Sequence, residues 1–197
     1  TIGCMAGSFE FVVFNTSVHV LKIPTKYIEN RQDVSPWIEH VQGKIDNDGM
    51  ILLSFLQDEI IESVEGFEKS KANRNSLVLL YNEGLKQELI LENLQEQLSI
   101  GNRKLRKNSG LGGFDVYQFE DAWDVVDGIY KDSKKDFFAN KLIASCESGF
   151  YGVSCMFYAE MNGAYFTYSL KNENITLYKS VESFYRQKIN NWIYSEE

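Results

Sequence analysis

The sequence is poor in the residues and motifs on which enzymes most often rely. It has two histidines, His19 and His40, and it contains no Gly-x-Ser-x-Gly elbow, no phosphate-binding loop and no His-Glu-x-x-His motif. We therefore predict no catalytic residue, no cofactor and no metal site, and we interpret the chain as a binding protein. An enzyme whose carboxylates meet only in the folded chain stays an alternative.

Long apolar runs and positive charge are also scarce. No stretch of eighteen apolar residues occurs, so the sequence predicts no membrane-spanning helix. The formal net charge is −8, which argues against nucleic acid as the main partner, because phosphate binding needs clustered Lys and Arg. One basic run exists, Arg103–Lys107. We interpret it as a solvated helix end, with a site for an acidic partner as the alternative.

Proline is rare and aromatic residues are abundant, a combination that favours sheets. The chain has two prolines, and 14% of its residues are aromatic. Runs of β-branched, aromatic and aliphatic residues predict strands at Phe9–Phe14, Val18–Ile23, Met50–Phe55, Ser76–Tyr81, Phe114–Phe119 and Leu142–Cys146. Leucine spacing predicts a helix at Glu92–Leu98.

The last third of the sequence has the clearest pattern. Asn162-Gly163 is a strong hairpin signal, and a two-residue loop there pairs Met161 with Ala164. That register places apolar residues on one face: Cys155, Phe157, Ala159, Phe166, Tyr168 and Leu170. A stripe at helical spacing follows a predicted N-cap at Ser180: Val181, Phe184, Tyr185, Ile189, Trp192 and Ile193. We predict an α+β fold of antiparallel sheets packed against helices, with an amphipathic C-terminal helix on the hairpin-containing sheet.

The Gly-rich segment at 109–113 is the best candidate for a domain boundary. We predict an N-terminal α+β lobe at 1–108 and a C-terminal α+β lobe at 109–197. One continuous domain is the alternative.

The chain has three cysteines, and their positions bear on the compartment. Cys146 and Cys155 lie on either side of a short connection, at a separation that suits a disulfide. Two buried free thiols are the alternative. If the bridge forms, the protein folds in an oxidising compartment. Cys4 is then unpaired, and Ile2-Gly3-Cys4 matches the end of a bacterial lipobox, which makes Cys4 a candidate for lipid attachment.

The clustered charges that we predict to bind a partner are Asp121, Asp124 and Asp127. Their spacing places them on one helical face or in an irregular acidic loop, and a solvated surface is the plainer interpretation. The segment lacks the pattern of a calcium loop, in which oxygen ligands at alternating positions are combined with a glycine and a distal glutamate.

Together these features resemble the periplasmic immunity lipoproteins of bacterial type VI secretion systems, especially those that neutralise phospholipase effectors. Three stretches, about a third of the chain, carry the resemblance. They are Ile2-Gly3-Cys4; the segment Val18–Ile28, followed by Pro36-Trp37; and Ile143–Cys146 through Cys155–Phe157, with the Asn162-Gly163 hairpin and the terminal helix.

The resemblance implies a protein that inhibits by binding and performs no chemistry. Its partner would be a cognate, lipase-like secreted effector, whose active-site entrance or lid it would occlude. It would lie in the periplasm and touch a membrane only through a lipid on Cys4. Another exported lipoprotein with a structural or ligand-binding role is the alternative, and a cytoplasmic interaction module is a further one.

Overall fold

The structure is a computed structural model, and it describes residues 11–29, 49–71, 73–82, 96, 99, 103–111, 114–121, 126–131, 142–149, 152–161 and 163–194. In strands β5 to β7 it describes the backbone. The strands are β1 (Phe11–Asn15), β2 (Val20–Pro24), β3 (Met50–Leu56), β4 (Asn75–Tyr81), β5 (Arg103–Leu111), β6 (Phe114–Asp121), β7 (Val126–Lys131), β8 (Leu142–Gly149), β9 (Gly152–Met161), β10 (Ala164–Lys171) and β11 (Ile193–Tyr194). The α-helices are α1 (Gln57–Ser63) and α2 (Tyr178–Asn190), and 3-10 turns lie at Thr25–Tyr27 and Asn172–Leu177.

The strands form two antiparallel sheets, which confirms the α+β class. The larger sheet has the order β3-β4-β10-β9-β8-β7-β6-β5, and the smaller has the order β1-β2-β11. From β5 to β10 each strand pairs with the next along the chain, whereas β4 joins β10 across a long sequence gap. The boundary expected between residues 108 and 109 falls inside β5, and strands from both sides of it belong to the larger sheet.

The predicted hairpin register is confirmed. Met161 pairs with Ala164, Ala159 with Phe166, Phe157 with Tyr168 and Cys155 with Leu170, and every member of these pairs is buried. The turn residue Gly163 has φ +77°, a conformation that favours glycine. Ser17 in the β1–β2 turn donates a hydrogen bond to the Gly163 carbonyl at 3.0 Å, so this hairpin tip also contacts the smaller sheet.

Helix α2 covers the buried face of the larger sheet. Val181, Phe184, Tyr185 and Ile189 of the predicted stripe are buried on it, and the Tyr185 hydroxyl donates to Ser76 Oγ at 2.9 Å. The helix begins at Tyr178 rather than after Ser180, and it ends at Asn190. The expected helical positions of Trp192 and Ile193 are wrong. Trp192 lies in the turn after the helix, and Ile193, in β11, pairs with Leu21 of β2 and completes the smaller sheet.

The basic run and its neighbours differ from the prediction. Arg103–Lys107 is not a helix end but part of β5, where Arg103 pairs with Asp121 and Lys104 with Glu120. Strand pairing satisfies the backbone of this segment, which overrides its weak helical pattern. The predicted helix Glu92–Leu98 lies outside the described residues except for Glu96, which is helical.

A polar cluster joins the turn after β2 to both α-helices. Lys188 Nζ lies 2.8 Å from Glu59 Oε2, and the Tyr27 hydroxyl donates to the same oxygen at 2.9 Å. Partial burial raises the pKa of Glu59, but the hydrogen bonds from Lys188 and Tyr27 outweigh that effect and hold the pKa below its ordinary value of 4.5. The hydrogen bond to Glu59 raises the pKa of Lys188 above its ordinary value of 10.5.

Replacing Glu59 with Gln is expected to lower the free energy of unfolding by about 1 kcal/mol at neutral pH. A carboxyl group whose pKa is lower in the folded state than in the unfolded state stabilises the fold at pH values above its unfolded-state pKa. That stabilisation disappears as the pH falls through its folded-state pKa. The raised pKa of Lys188 means that its ion pair stabilises the fold below pH 10.5. This stabilisation is lost as the pH rises through the pKa of Lys188 in the folded state. Urea titrations of both proteins should therefore show a difference that is constant near neutrality and shrinks below pH 4.5. A difference independent of pH would contradict this.

Candidate functional site

A cleft of about 760 Å³ lies at one end of the larger sheet. Its floor comes from the adjoining ends of β4, β10 and β9, and its wall is the loop that follows α1. The lining residues are Gln57, Phe67, Glu68, Lys69, Ser70, Lys71, Asn73, Asn75, Ser76, Leu77, Ser154, Ser169, Leu170, Lys171, Glu173 and Asn174. These side chains are mostly polar, so the cleft is suited to a hydrogen-bonding or charged guest.

Two buried amide side chains fix the loop that forms the wall. Asn174 Oδ1 accepts from the Glu68 backbone N–H, and Asn174 Nδ2 donates to the Glu68 carbonyl, each at 2.8 Å. Gln57 Oε1 accepts from the Ser70 N–H at 2.7 Å. Both amides are 6% exposed, so either loop bond, once broken, would leave a buried polar group unsatisfied. The loop that forms the wall is therefore ordered before a partner binds.

Three lysines and two glutamates border the cleft. Lys69 pairs with Asp58 at 2.7 Å on an exposed surface, and Lys171 Nζ lies 3.5 Å from Ser70 Oγ. Lys71 is exposed and forms no ion pair with any residue that the structure describes. With Asp58, the acidic groups balance the lysines, so this surface is close to neutral in a chain with a net charge of −8, and Lys71 and Lys171 are the cations that a carboxylate-bearing guest would meet.

The lining residues that the structure describes include neither His nor Cys. Lys171 Nζ and Ser70 Oγ lie 3.5 Å apart, at the outer limit of a hydrogen bond, and Lys171 is exposed to solvent. No group of three or more His, Cys, Asp or Glu side chains able to hold a metal ion occurs among the described residues. The polar lining and the hydrogen-bonded wall are suited to binding a polar partner.

The two predicted disulfide cysteines meet in the sheet. Cys146 and Cys155 are register partners in β8 and β9, they are joined by a disulfide, and both are buried. Strand β8 continues to Gly149, beyond its predicted end at Cys146. Cys4 and His40 lie outside the described residues, and His19 lies in the β1–β2 turn, away from the cleft.

The structure places two of the three aspartates in neighbouring strands, where Asp127 is opposite Phe119, two residues before Asp121. Asp121 ends β6 and Asp127 lies in β7, so the helical face expected for them is wrong for these two, while Asp124 lies outside the described residues. Pairing of β7 with strands on both sides fixes the local structure as a strand. The register places Asp127 opposite Glu147, which is opposite Ser154 in the cleft floor. At about 4.8 Å per strand, the Asp127 backbone lies roughly 10 Å from that of Ser154.

Sequence reasoning missed the cleft. Lys69 and Lys71 flank a serine shortly before a strand, which was the available local signal. Nothing local indicated that Gln57 and Asn174 would be buried, since both residue types are usually exposed.

Comparison with known proteins adds little. No protein-family model matches the chain, and no curated protein is similar to it in sequence. Among solved structures the chain is similar to Smlt3025, an immunity protein of the Stenotrophomonas maltophilia type IV secretion system. The identity is 12% over 94% of each chain, and the TM-score is 0.48, a similarity too low to establish a shared fold. No helix among the described residues is long and apolar enough to cross a bilayer.

Proposed function

We propose that the protein is an immunity protein that binds and inhibits a cognate secreted antibacterial effector. The observation that carries the proposal is the cleft, which is concave, held by the buried amides of Gln57 and Asn174, and edged by lysines. A surface that is already ordered spends less binding free energy on side-chain and loop ordering. Lysines at its rim speed association with an acidic loop of the partner and favour that loop over others.

The sequence resemblance supports the finer parts of the proposal. They are a type VI secretion effector, a lipase-like or phospholipase activity, and inhibition by occlusion of the effector's active site. The disulfide is compatible with the oxidising periplasm, and lipidation of Cys4 would anchor the protein to a membrane there. The partner would be that effector rather than nucleic acid, and the protein itself would catalyse nothing.

The proposal is tested in cells whose genome carries the gene for this protein next to the gene for its effector. Deleting the gene should make cells sensitive to siblings that deliver the toxin encoded next to it, and supplying the protein in the periplasm should restore protection. Purified protein should abolish the toxin's activity at a one-to-one ratio. Deletion strains that stay resistant would refute the immunity role.

Reversing two cleft charges, Lys71→Glu with Lys171→Glu, is expected to weaken effector binding about tenfold or more, because both changes repel a carboxylate partner. Isothermal titration with the purified effector measures the effect. Lys179→Glu is the matched control, since Lys179 is an exposed lysine of α2 outside the cleft. If the double variant and the control bind the effector with equal affinity, the cleft is not part of the interface.

A ligand-binding exported lipoprotein is the second candidate. The cleft volume of about 760 Å³ falls within the roughly 300–1,000 Å³ typical of small-molecule sites. A small polar ligand that is displaced by the double lysine variant, in a protein that neutralises no toxin, would favour this function.

A further inference from the structure

The smaller sheet exposes an apolar face with a lysine at its centre. Strands β1, β2 and β11 direct Phe14, Leu21 and Ile23 into the core, where each is at most 4% exposed. The opposite side chains form what we call the outer face, which consists of Phe11, Val13, Asn15, Val20, Lys22, Pro24 and Tyr194. Register defines it, because Val13 is opposite Lys22 and Tyr194 is opposite Val20.

The outer face is open to solvent. Phe11 is 44% exposed, Tyr194 43% and Val20 38%. Lys22 Nζ lies 3.4 Å from the centre of the Tyr194 ring and 5.3 Å from that of Phe11. Lys22 forms no ion pair with a described residue, so its ammonium group can still bind an external anion. A cation held between exposed rings suits a boundary between an apolar and an anionic layer.

The β1–β2 segment of the outer face differs in charge from the whole chain, although Glu196 and Glu197 closely follow Tyr194 in the sequence. Residues 11–28 contain no Asp or Glu over eighteen positions, although the chain has 28 acidic residues in 197. Lys22 and Lys26 lie in this segment, and Glu10 and Glu29 border it. A second copy of the chain is a poor occupant, because a symmetric contact would bring the two Lys22 ammonium groups together.

The short spacing between Cys4 and β1 favours a bilayer as the partner of the outer face, because a lipid is proposed on Cys4. Cys4 precedes Phe11 by seven residues, which span at most about 25 Å when extended. A lipid on Cys4 would therefore keep the outer face within that distance of the membrane. Partly exposed aromatic rings beside lysines are typical of protein surfaces that contact the interfacial layer of lipids.

We propose that the outer face of the smaller sheet rests on a phospholipid bilayer, with Phe11 and Tyr194 in the interfacial layer and Lys22 on lipid phosphates. The inference extends the anchoring proposed for Cys4, but it is tested without the native lipid.

The test uses the full chain with Cys4→Ser, an N-terminal histidine tag and one new cysteine for an environment-sensitive dye. The remaining thiols are joined in the disulfide, so the dye labels one position. Val20→Cys places the dye on the outer face. Ser180→Cys is the matched control, an exposed site about 15 Å along α2 from its C-terminal end. Vesicles of phosphatidylethanolamine and phosphatidylglycerol with a nickel-chelating lipid tether the protein.

The dye at position 20 is expected to report an apolar environment on vesicles, and the dye at position 180 an aqueous one. Phe11→Ser and Tyr194→Ser should each reduce the equilibrium constant for the membrane-facing orientation about tenfold. Both rings are exposed, so these variants should remain folded.

Equal signals at positions 20 and 180, or a signal at position 20 that appears only when the effector is added, would overturn the proposal. If the same protein neutralises its effector in solution while the dye at position 20 stays aqueous on vesicles, the membrane inference fails and the inhibitory function stands.

Discussion

Replacing Phe55 with Ala is expected to lower the free energy of unfolding by about 3–5 kcal/mol. Phe55 is fully buried, and its ring lies 5.1 Å from Tyr27, 5.8 Å from Phe184, 5.1 Å from Tyr185 and 6.0 Å from Trp192. These partners come from the turn after β2, from α2 and from the segment that precedes β11. The substitution removes the central ring of this cluster, and the remaining rings cannot close the cavity without leaving their own contacts.

The neighbouring residue provides the control for Phe55. Leu56 is 52% exposed, so Leu56→Ala should change the free energy of unfolding by no more than about 0.5 kcal/mol. Urea denaturation followed by circular dichroism measures both variants, provided that the slopes of the transitions agree. A Phe55→Ala protein within 1 kcal/mol of the parent would mean that the aromatic cluster does not hold the two sheets and α2 together.

Removing the disulfide with Cys146→Ala and Cys155→Ala is expected to cost about 2–3 kcal/mol. The bond closes a loop with a sequence separation of 9, and it restricts the unfolded chain. The side chains are 3% and 0% exposed, so the truncation also removes apolar contacts in the core. Thermal unfolding of the double variant, compared with the parent, measures the loss.

Cys4→Ser is the control for the disulfide, because it removes a thiol that takes no part in the bond. It should leave the unfolding temperature unchanged. Intact mass of the native protein should be lower by two hydrogens than after denaturation and reduction. Two free thiols in protein exported to an oxidising compartment would contradict the pairing, and with it the support that the disulfide lends to a periplasmic location.

Local rules were sufficient to predict the β9–β10 hairpin of the larger sheet. A two-residue loop at Asn162-Gly163 permits one pairing of its flanking residues, and the alternation of apolar side chains admits only that register. The disulfide could be predicted for a similar reason, since Cys146 and Cys155 lie on consecutive strands. The stripe on α2 followed from helical spacing, although the helix end did not.

Long-range pairing decided what local rules missed. Ile193 continues the helical pattern, yet it leaves the helix because β2 offers its backbone a partner in the smaller sheet. Arg103–Lys107 became a strand in the same way. The cleft depends on β4 pairing with β10, about ninety residues apart in the sequence, and on Asn174 reaching the backbone of Glu68.

The sequence by itself determined the fold class, the main hairpin with its register, the partners of the disulfide and the apolar stripe of the C-terminal helix. Each of these depends on periodicity or on a turn within a few residues. Only the tertiary structure decided the order of the larger sheet, the burial of Gln57 and Asn174, the cleft and the exposed outer face of the smaller sheet. These features depend on which distant strands meet, and the free energy of that choice is spread over the whole core rather than encoded in any one segment.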